Sequence, residues 1–252
     1  MTDTHTKVAF VTGASRGIGR SIAIGLARFG CDVVVADLAS ERAALDKTAE
    51  AVTALGRRAY AKSMDVASKA DVTATVTAVL AEAGRIDVLV NNAGILKPSL
   101  LQDLDEATFD AHFDVNTKGV FLMCQAVLPH MRARRFGRIV NIASVAGRKG
   151  SPTQGHYAAT KAAVITLTRV FAQEVGMDGV TVNAICPGII LTEMGRNNLG
   201  SEAEVRYWTD VTALKRLGEP EDVVGPVCFF ISDQADFVTG QALNVCGGLF
   251  FD

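Results

Sequence analysis

Short β-branched runs alternate with longer helical stretches along almost the whole 252-residue chain, and this alternation limits the possible folds more than any other feature. The runs VAFV, DVVVA, AYAKSM, IDVLVN, GRIVNIA, VTVNAI and QALNV read as seven strands. Between them, residues 17–29, 40–55, 68–83, 106–131 and 157–175 carry apolar side chains at helical spacing with few breakers. Strands that are apolar at nearly every position must be covered on both faces, and strand–helix alternation feeds a parallel sheet. The expectation is an α/β protein with one doubly wound parallel sheet of about seven strands, helices on both faces, in a single domain over 1–252. The stretch LTEMGRNNLGSEAEVRYWTDVTALKRLGEPED interrupts the alternation before the last strand and reads as a small helical lid at about 192–218.

Charge and cysteine usage narrow the function classes. A net charge of −2 lacks the basic excess of a nucleic-acid-coating surface. The densest basic cluster, Arg132 to Arg135, follows a predicted helix and reads as its solvated C-terminus. Cys124, Cys186, Cys228 and Cys246 sit among apolar neighbours, whereas Cys31 falls in a Gly-Cys-Asp turn. An odd, scattered set implies no disulfide framework and suits a reducing cytoplasm. The N-terminus, MTDTHTK, lacks the apolar run of a signal peptide. The longest apolar run, Val223 to Ile231, is too short to cross a bilayer. The four histidines (His5, His112, His130, His156) show no metal-ligand spacing, so no metal is expected.

The segment KVAFVTGASRGIGR admits two chemistries. Gly13-Ala14-Ser15-Arg16-Gly17 matches the G-x-S-x-G of a nucleophile elbow, but that elbow takes an oxyanion-hole donor from an earlier strand–helix unit, for which a dozen residues leave no room. Gly13, Gly17 and Gly19 ahead of a helix instead suit a turn that wraps a phosphate, where unpaired N–H groups meet an anion. Asp37, closing the second strand, is placed to accept the hydroxyls of an adenosine ribose.

Here the chain resembles the short-chain dehydrogenases/reductases. Thr12 to Gly19 matches their T-G-x-x-x-G-x-G, Asn91-Asn92-Ala93-Gly94 their N-N-A-G, and Tyr157 to Lys161 their Y-x-x-x-K, with Ser144, Asn116, Pro187-Gly188 and Thr192 in the expected order. The resemblance spans essentially the whole chain and implies a Rossmann-type fold and a nicotinamide dinucleotide. It implies cofactor contacts from Gly13, Ser15, Arg16, Gly17, Ile18, Gly19, Asp37, Asp65, Val66, Asn92, Ala93, Gly94, Tyr157, Lys161, Pro187, Gly188, Ile190 and Thr192. It further implies that Asn116 holds a water continuing a proton path from Lys161; the plain alternative is that its amide ties two segments together. Asp65 could equally be a helix-capping acid.

Tyr157 and Lys161 are four apart and share one helix face. A phenol is a poor base at neutral pH, and a nearby ammonium favours the phenolate, so the pair is expected to carry a proton between alcohol and ketone. Ser144, at a strand end beside the crevice of a parallel sheet, would hold the substrate oxygen. Adjacent helical positions face different ways, so His156 has no part in proton transfer, though it could line the pocket. The pocket wall is expected to include Leu96, Val145, Ala146, Gln154, His156 and Gly188, with Tyr207 and Trp208 from the lid.

Arg16 and Asp37 pull cofactor choice in opposite directions. A 2′-phosphate beside Asp37 would cost roughly 4 kcal/mol at about 4 Å and an effective dielectric near 20, and Leu38 and Ala39 bring no neutralising Arg. NAD is therefore favoured over NADP. The first functional expectation is an NAD-dependent oxidoreductase acting on a small polar secondary alcohol (polyol, sugar derivative or hydroxyketone) or its ketone. The alternative, which VTGASRGIGR and RIVNIASVAG also resemble, is an NADPH-dependent 3-oxoacyl-(acyl-carrier-protein) reductase. A non-catalytic dinucleotide sensor ranks low because the Tyr/Lys pair is intact, and a dehydratase or epimerase would want a further acid or base. The resemblance also implies a cytoplasmic homotetramer with no membrane or nucleic-acid partner.

Overall fold

The computed structural model describes residues 6–251; the reading of the N-terminus as no signal peptide, and His5, fall largely or wholly outside it. Seven strands form one parallel sheet: β1 (Val8–Thr12), β2 (Asp32–Asp37), β3 (Ala59–Ser63), β4 (Val88–Asn91), β5 (Gly137–Ile142), β6 (Val180–Pro187) and β7 (Ala242–Val245). Their order is β3-β2-β1-β4-β5-β6-β7. The chain therefore winds outward in one direction from β1, then in the other from β4. Between those strands the crossovers diverge and leave a crevice at the carboxyl edge.

The helices are α1 (Gly17–Arg28), α2 (Arg42–Ala54), α3 (Lys69–Ala83), α4 (Glu106–Phe113), α5 (Gly119–Ala133), α6 (Ala146–Lys149), α7 (Gly155–Val175), α8 (Glu193–Asn198), α9 (Glu202–Val211) and α10 (Val224–Ile231). Alternation along β1 explains the two layers. Val8 and Phe10 join the core beneath α3, α5 and α7, while Ala9 and Val11 face α1, α2 and α10. Ser68 caps α3 by accepting from Asp71 N, and Gly84 ends it at φ 77, a left-handed position that favours glycine.

Two expectations needed correction. The helix expected over 106–131 is two helices joined by a π-turn, Asp114–Lys118, which swings Asn116 inward. Cys31, set apart by its turn from the cysteines with apolar neighbours, is buried like them, and burial pushes its thiol up to about 12. The segment expected as a lid contains α8 and α9, capped by Thr192 and Ser201. No helix among the described residues is long and apolar enough to cross a membrane.

Candidate active site

A cavity of about 570 Å³ opens over the carboxyl ends of β1, β4, β5 and β6. Its phosphate end is built by close backbone approach. Gly13 sits at φ +63, and a Cβ on Gly19 would lie 2.1 Å from Gly13 O. The turn is tied to the N-N-A-G segment. Thr12 Oγ1 accepts from Asn92 N at 3.0 Å and Ala93 N at 3.1 Å, and Asn92 Nδ2 donates to Thr12 O and Gly13 O, both at 3.0 Å. Arg16, at the N-cap of α1, makes no side-chain cap, which leaves the first N–H groups of that helix without one. Glycine cradle and uncapped helix together fit a dinucleotide's phosphates.

At the ribose end, Asp37 accepts from Ser15 N at 3.0 Å and Leu38 N at 2.9 Å, so it also braces the glycine turn. Arg16 reaches Glu41 at 3.0 Å and Glu193 at 3.7 Å. Asp65 accepts from Ala67 N at 2.9 Å, while Ser68 takes the helix cap. Each residue expected to meet a cofactor lines this cavity: the glycine turn with Ser15, Arg16 and Ile18, then Asp37, Asp65, Val66, Asn92 to Gly94, Tyr157, Lys161, Pro187, Gly188, Ile190 and Thr192.

The deep end brings Ser144, Tyr157 and Lys161 together. The Ser144 hydroxyl lowers the pKa of the Tyr157 phenol and accepts from Ala146 N at 3.1 Å. Lys161 Nζ donates to Ile142 O at 2.8 Å and lies 5.7 Å from the centre of the Tyr157 ring. Burial drives both side chains toward their neutral forms: it pushes the phenol up to about 12, against the lowering by Ser144, and the ammonium down to about 8. The expected acidifying effect of the ammonium is not among the causes of this shift: desolvation raises the phenol, and it is Ser144 that lowers it.

Asn116 lies behind this group and does not line the cavity. Its Oδ1 accepts from Ile95 N at 2.8 Å, and its Nδ2 donates to Ile95 O at 3.0 Å and Thr160 Oγ1 at 3.1 Å. Gly94 keeps the chain close: an added Cβ would sit 3.2 Å from Asn116 Oδ1 and 3.5 Å from Lys161 Nζ. Asn91 ties β4 to β5 through Asn141 at 2.8 Å.

Of the expected substrate wall, Leu96, Val145, Ala146, Gln154, Gly188 and Trp208 line the cavity. His156 and Tyr207 do not. His156 turns away from Tyr157 into a contact with His112, and Tyr207 is 58% exposed, on the outer side of Trp208. Sequence reasoning missed Lys149, Met194, Leu199 and Leu249 in the wall. Lys149 was open to detection, five residues after Ser144, and its Nζ lies 5.5 Å from the Trp208 ring centre. Among the described residues no His, Cys, Asp or Glu cluster could hold a metal ion.

Fold and crevice define a dinucleotide-binding oxidoreductase framework, and comparison with known proteins gives its family. Residues 13–250 match the family described as Enoyl-(Acyl carrier protein) reductase. The chain is 42% identical over 97% of its length to the 3-oxoacyl-(acyl-carrier-protein) reductase FabG of Staphylococcus epidermidis, covering 99% of that protein. It is 42% identical to the 3-oxoacyl-(acyl-carrier-protein) reductase of Synechocystis, with 99% of both chains covered. A crystal structure from Sinorhizobium meliloti 1021, provisionally assigned as a short-chain alcohol dehydrogenase, superposes with a TM-score of 0.93 at 35% identity, covering 98% of this chain and 97% of that one. The chain belongs to the short-chain dehydrogenase/reductase family. It is an oxidoreductase of the kind that binds a nicotinamide dinucleotide. The relatives overturn the first functional expectation, an NAD-dependent enzyme for small polar alcohols, and favour the alternative.

Proposed function

We propose that the protein reduces the 3-oxo group of an acyl thioester, carried on an acyl carrier protein, to the 3-hydroxyacyl product. The observation that carries this reading is the meeting of Ser144, Tyr157 and Lys161 at the deep end of a largely apolar cavity, where desolvation pushes the Tyr157 phenol up to about 12, together with relatives that bear this activity in their names. Reducing a ketone requires a proton donor at neutral pH, whereas oxidising an alcohol requires a base. A phenol held at about 12 is a donor.

When bound, the dinucleotide supplies the hydride. The Ser144 hydroxyl holds the ketone oxygen, and Tyr157 gives that oxygen its proton. Lys161, charged below about pH 8, stabilises the phenolate left behind. Asn116 keeps the loop that carries Ile95 against this group. The apolar wall of Leu96, Ala146, Met194, Leu199 and Trp208 suits an acyl chain better than a polyol.

The alternative that the relatives favour takes NADPH as the hydride donor, and the charge at the ribose end works against its 2′-phosphate. Arg16 pairs with Glu41 and Glu193, and Asp37 lines the same end of the cavity, so a 2′-phosphate would enter a net negative site. The family also leads us to propose a cytoplasmic homotetramer, with exposed Phe237 and Phe251 as candidate contacts.

The test is consumption of reduced dinucleotide with acetoacetyl carrier protein and, separately, oxidation of a polyol panel. Turnover of the thioester that Tyr157→Phe abolishes is expected. Polyol oxidation with no thioester reduction would overturn the reading.

A further inference from the structure

Behind the wall of the cavity, His112 on α4 and His156 on α7 are both 1% exposed and meet edge to face, with ring centres 4.3 Å apart. Both hold the same residue. Lys97 N donates to His112 Nε2 at 3.1 Å, and His156 Nε2 lies 3.0 Å from Lys97 O. The partners fix the protonation of each ring. His112 Nδ1 lies 2.7 Å from Thr108 O, a carbonyl, so Nδ1 carries the hydrogen and Nε2 is the bare acceptor. His156 must donate from Nε2 to the Lys97 carbonyl, which leaves its Nδ1 buried without a hydrogen-bond partner. Burial holds the His156 imidazole below its usual range.

Two positions earlier, Asn116 grips Ile95 in the same way, through both its N–H and its C=O. Leu96 lies between two residues whose backbone groups are all held by buried side chains, and Leu96 lines the cavity. A surface loop seldom receives this much support. An unsatisfied buried nitrogen is also unfavourable in a merely structural tie.

We propose that His112 and His156 are positioning residues that clamp the Lys97 backbone and so set the Leu96 wall against the acyl chain of the substrate. This rests on the thioester-reductase reading for the identity of that substrate, but the clamp itself does not. Loosening the clamp lets Leu96 move, which weakens acyl binding while Tyr157, Ser144 and the dinucleotide end stay in place.

The test uses His112→Phe, which keeps the ring volume and removes the acceptor, and His112→Gln, which keeps an acceptor near Nε2. The expected result is a five- to twenty-fold rise in KM for acetoacetyl carrier protein in His112→Phe, equivalent to about 1–2 kcal/mol. kcat and KM for the dinucleotide should stay within twofold, and His112→Gln should restore most of the loss. In the full-length protein without substrate, amide hydrogen exchange should show Lys97 losing protection in His112→Phe and keeping it in His112→Gln. Should His112→Phe fail to fold, His156→Gln and His156→Phe give the same contrast at the carbonyl side. Unchanged exchange at Lys97 in the Phe variant overturns the clamp, as does a KM rise shared equally by the dinucleotide. If the wild-type protein reduces no thioester, the functional reading fails, and the exchange contrast still decides the clamp.

Discussion

The two ends of the sheet bury charge in different ways. At the amino edge, Asp87 is fully buried, and it accepts from Arg85 at 2.6 Å, from Arg134 at 2.8 Å and from Val8 N at 2.8 Å. Burial alone would raise its carboxyl, but these donors outweigh it and hold the group below its ordinary value. At the carboxyl edge, Lys161 is also buried but donates to a carbonyl, Ile142 O, and no carboxylate among the described residues pairs with it. The first arrangement neutralises its charge and stabilises the fold. The second keeps a cation poorly compensated beside a phenol, which costs stability and leaves the charge available for a proton-transfer step.

The sharpest way to break this contrast is Tyr157→Phe. Removing the proton donor is expected to lower turnover by about 10²–10⁴-fold while calorimetric titration shows dinucleotide still binding. Surviving turnover would remove the phenol from the chemistry. At the opposite edge, Asp87→Ala leaves two arginines facing a buried gap. It is expected to lose about 3–5 kcal/mol in urea unfolding, with kcat/KM per folded molecule unchanged. Because the Asp87 carboxyl titrates below its unfolded value, its contribution is present above about pH 4 and is lost as pH falls through the folded value. An activity loss in Asp87→Ala without a stability loss would erase the distinction between the edges.

A smaller effect is expected from Asp37→Ser, which removes one of three carboxylates at the ribose end. The ratio of NADPH to NADH efficiency should rise about tenfold, or about 1.4 kcal/mol. A ratio that stays put would show that Asp37 acts only through its brace on Ser15 N and Leu38 N.

Much of this architecture was legible because it depends on short-range pattern. Val8 to Thr12 and Val180 to Pro187 are buried at every position, as covered parallel strands require, and they read as strands without tertiary information. The glycine turn and the Tyr157–Lys161 spacing carry their geometry in their own sequence. What escaped depends on long-range contacts. His112 and His156 look like two isolated histidines until α4 and α7 pack, and the π-turn aims the Asn116 amide at Ile95 and Thr160, which lie far away in the sequence. The upward shift of Tyr157 escaped for the same reason: spacing announces the ammonium but not the desolvation that raises the phenol. Substrate choice was the least legible, since the wall joins Leu96, Trp208 and Leu249 from three distant segments.

The pH dependence of acetoacetyl thioester reduction, at saturating dinucleotide, tests the proton-donor claim most directly. With Tyr157 protonated throughout and Lys161 losing its charge near pH 8, the rate should be level below about 8 and fall above it, by up to tenfold per pH unit. A rate that climbs with pH through the same interval would mean that a phenolate base, rather than a phenol donor, performs the step.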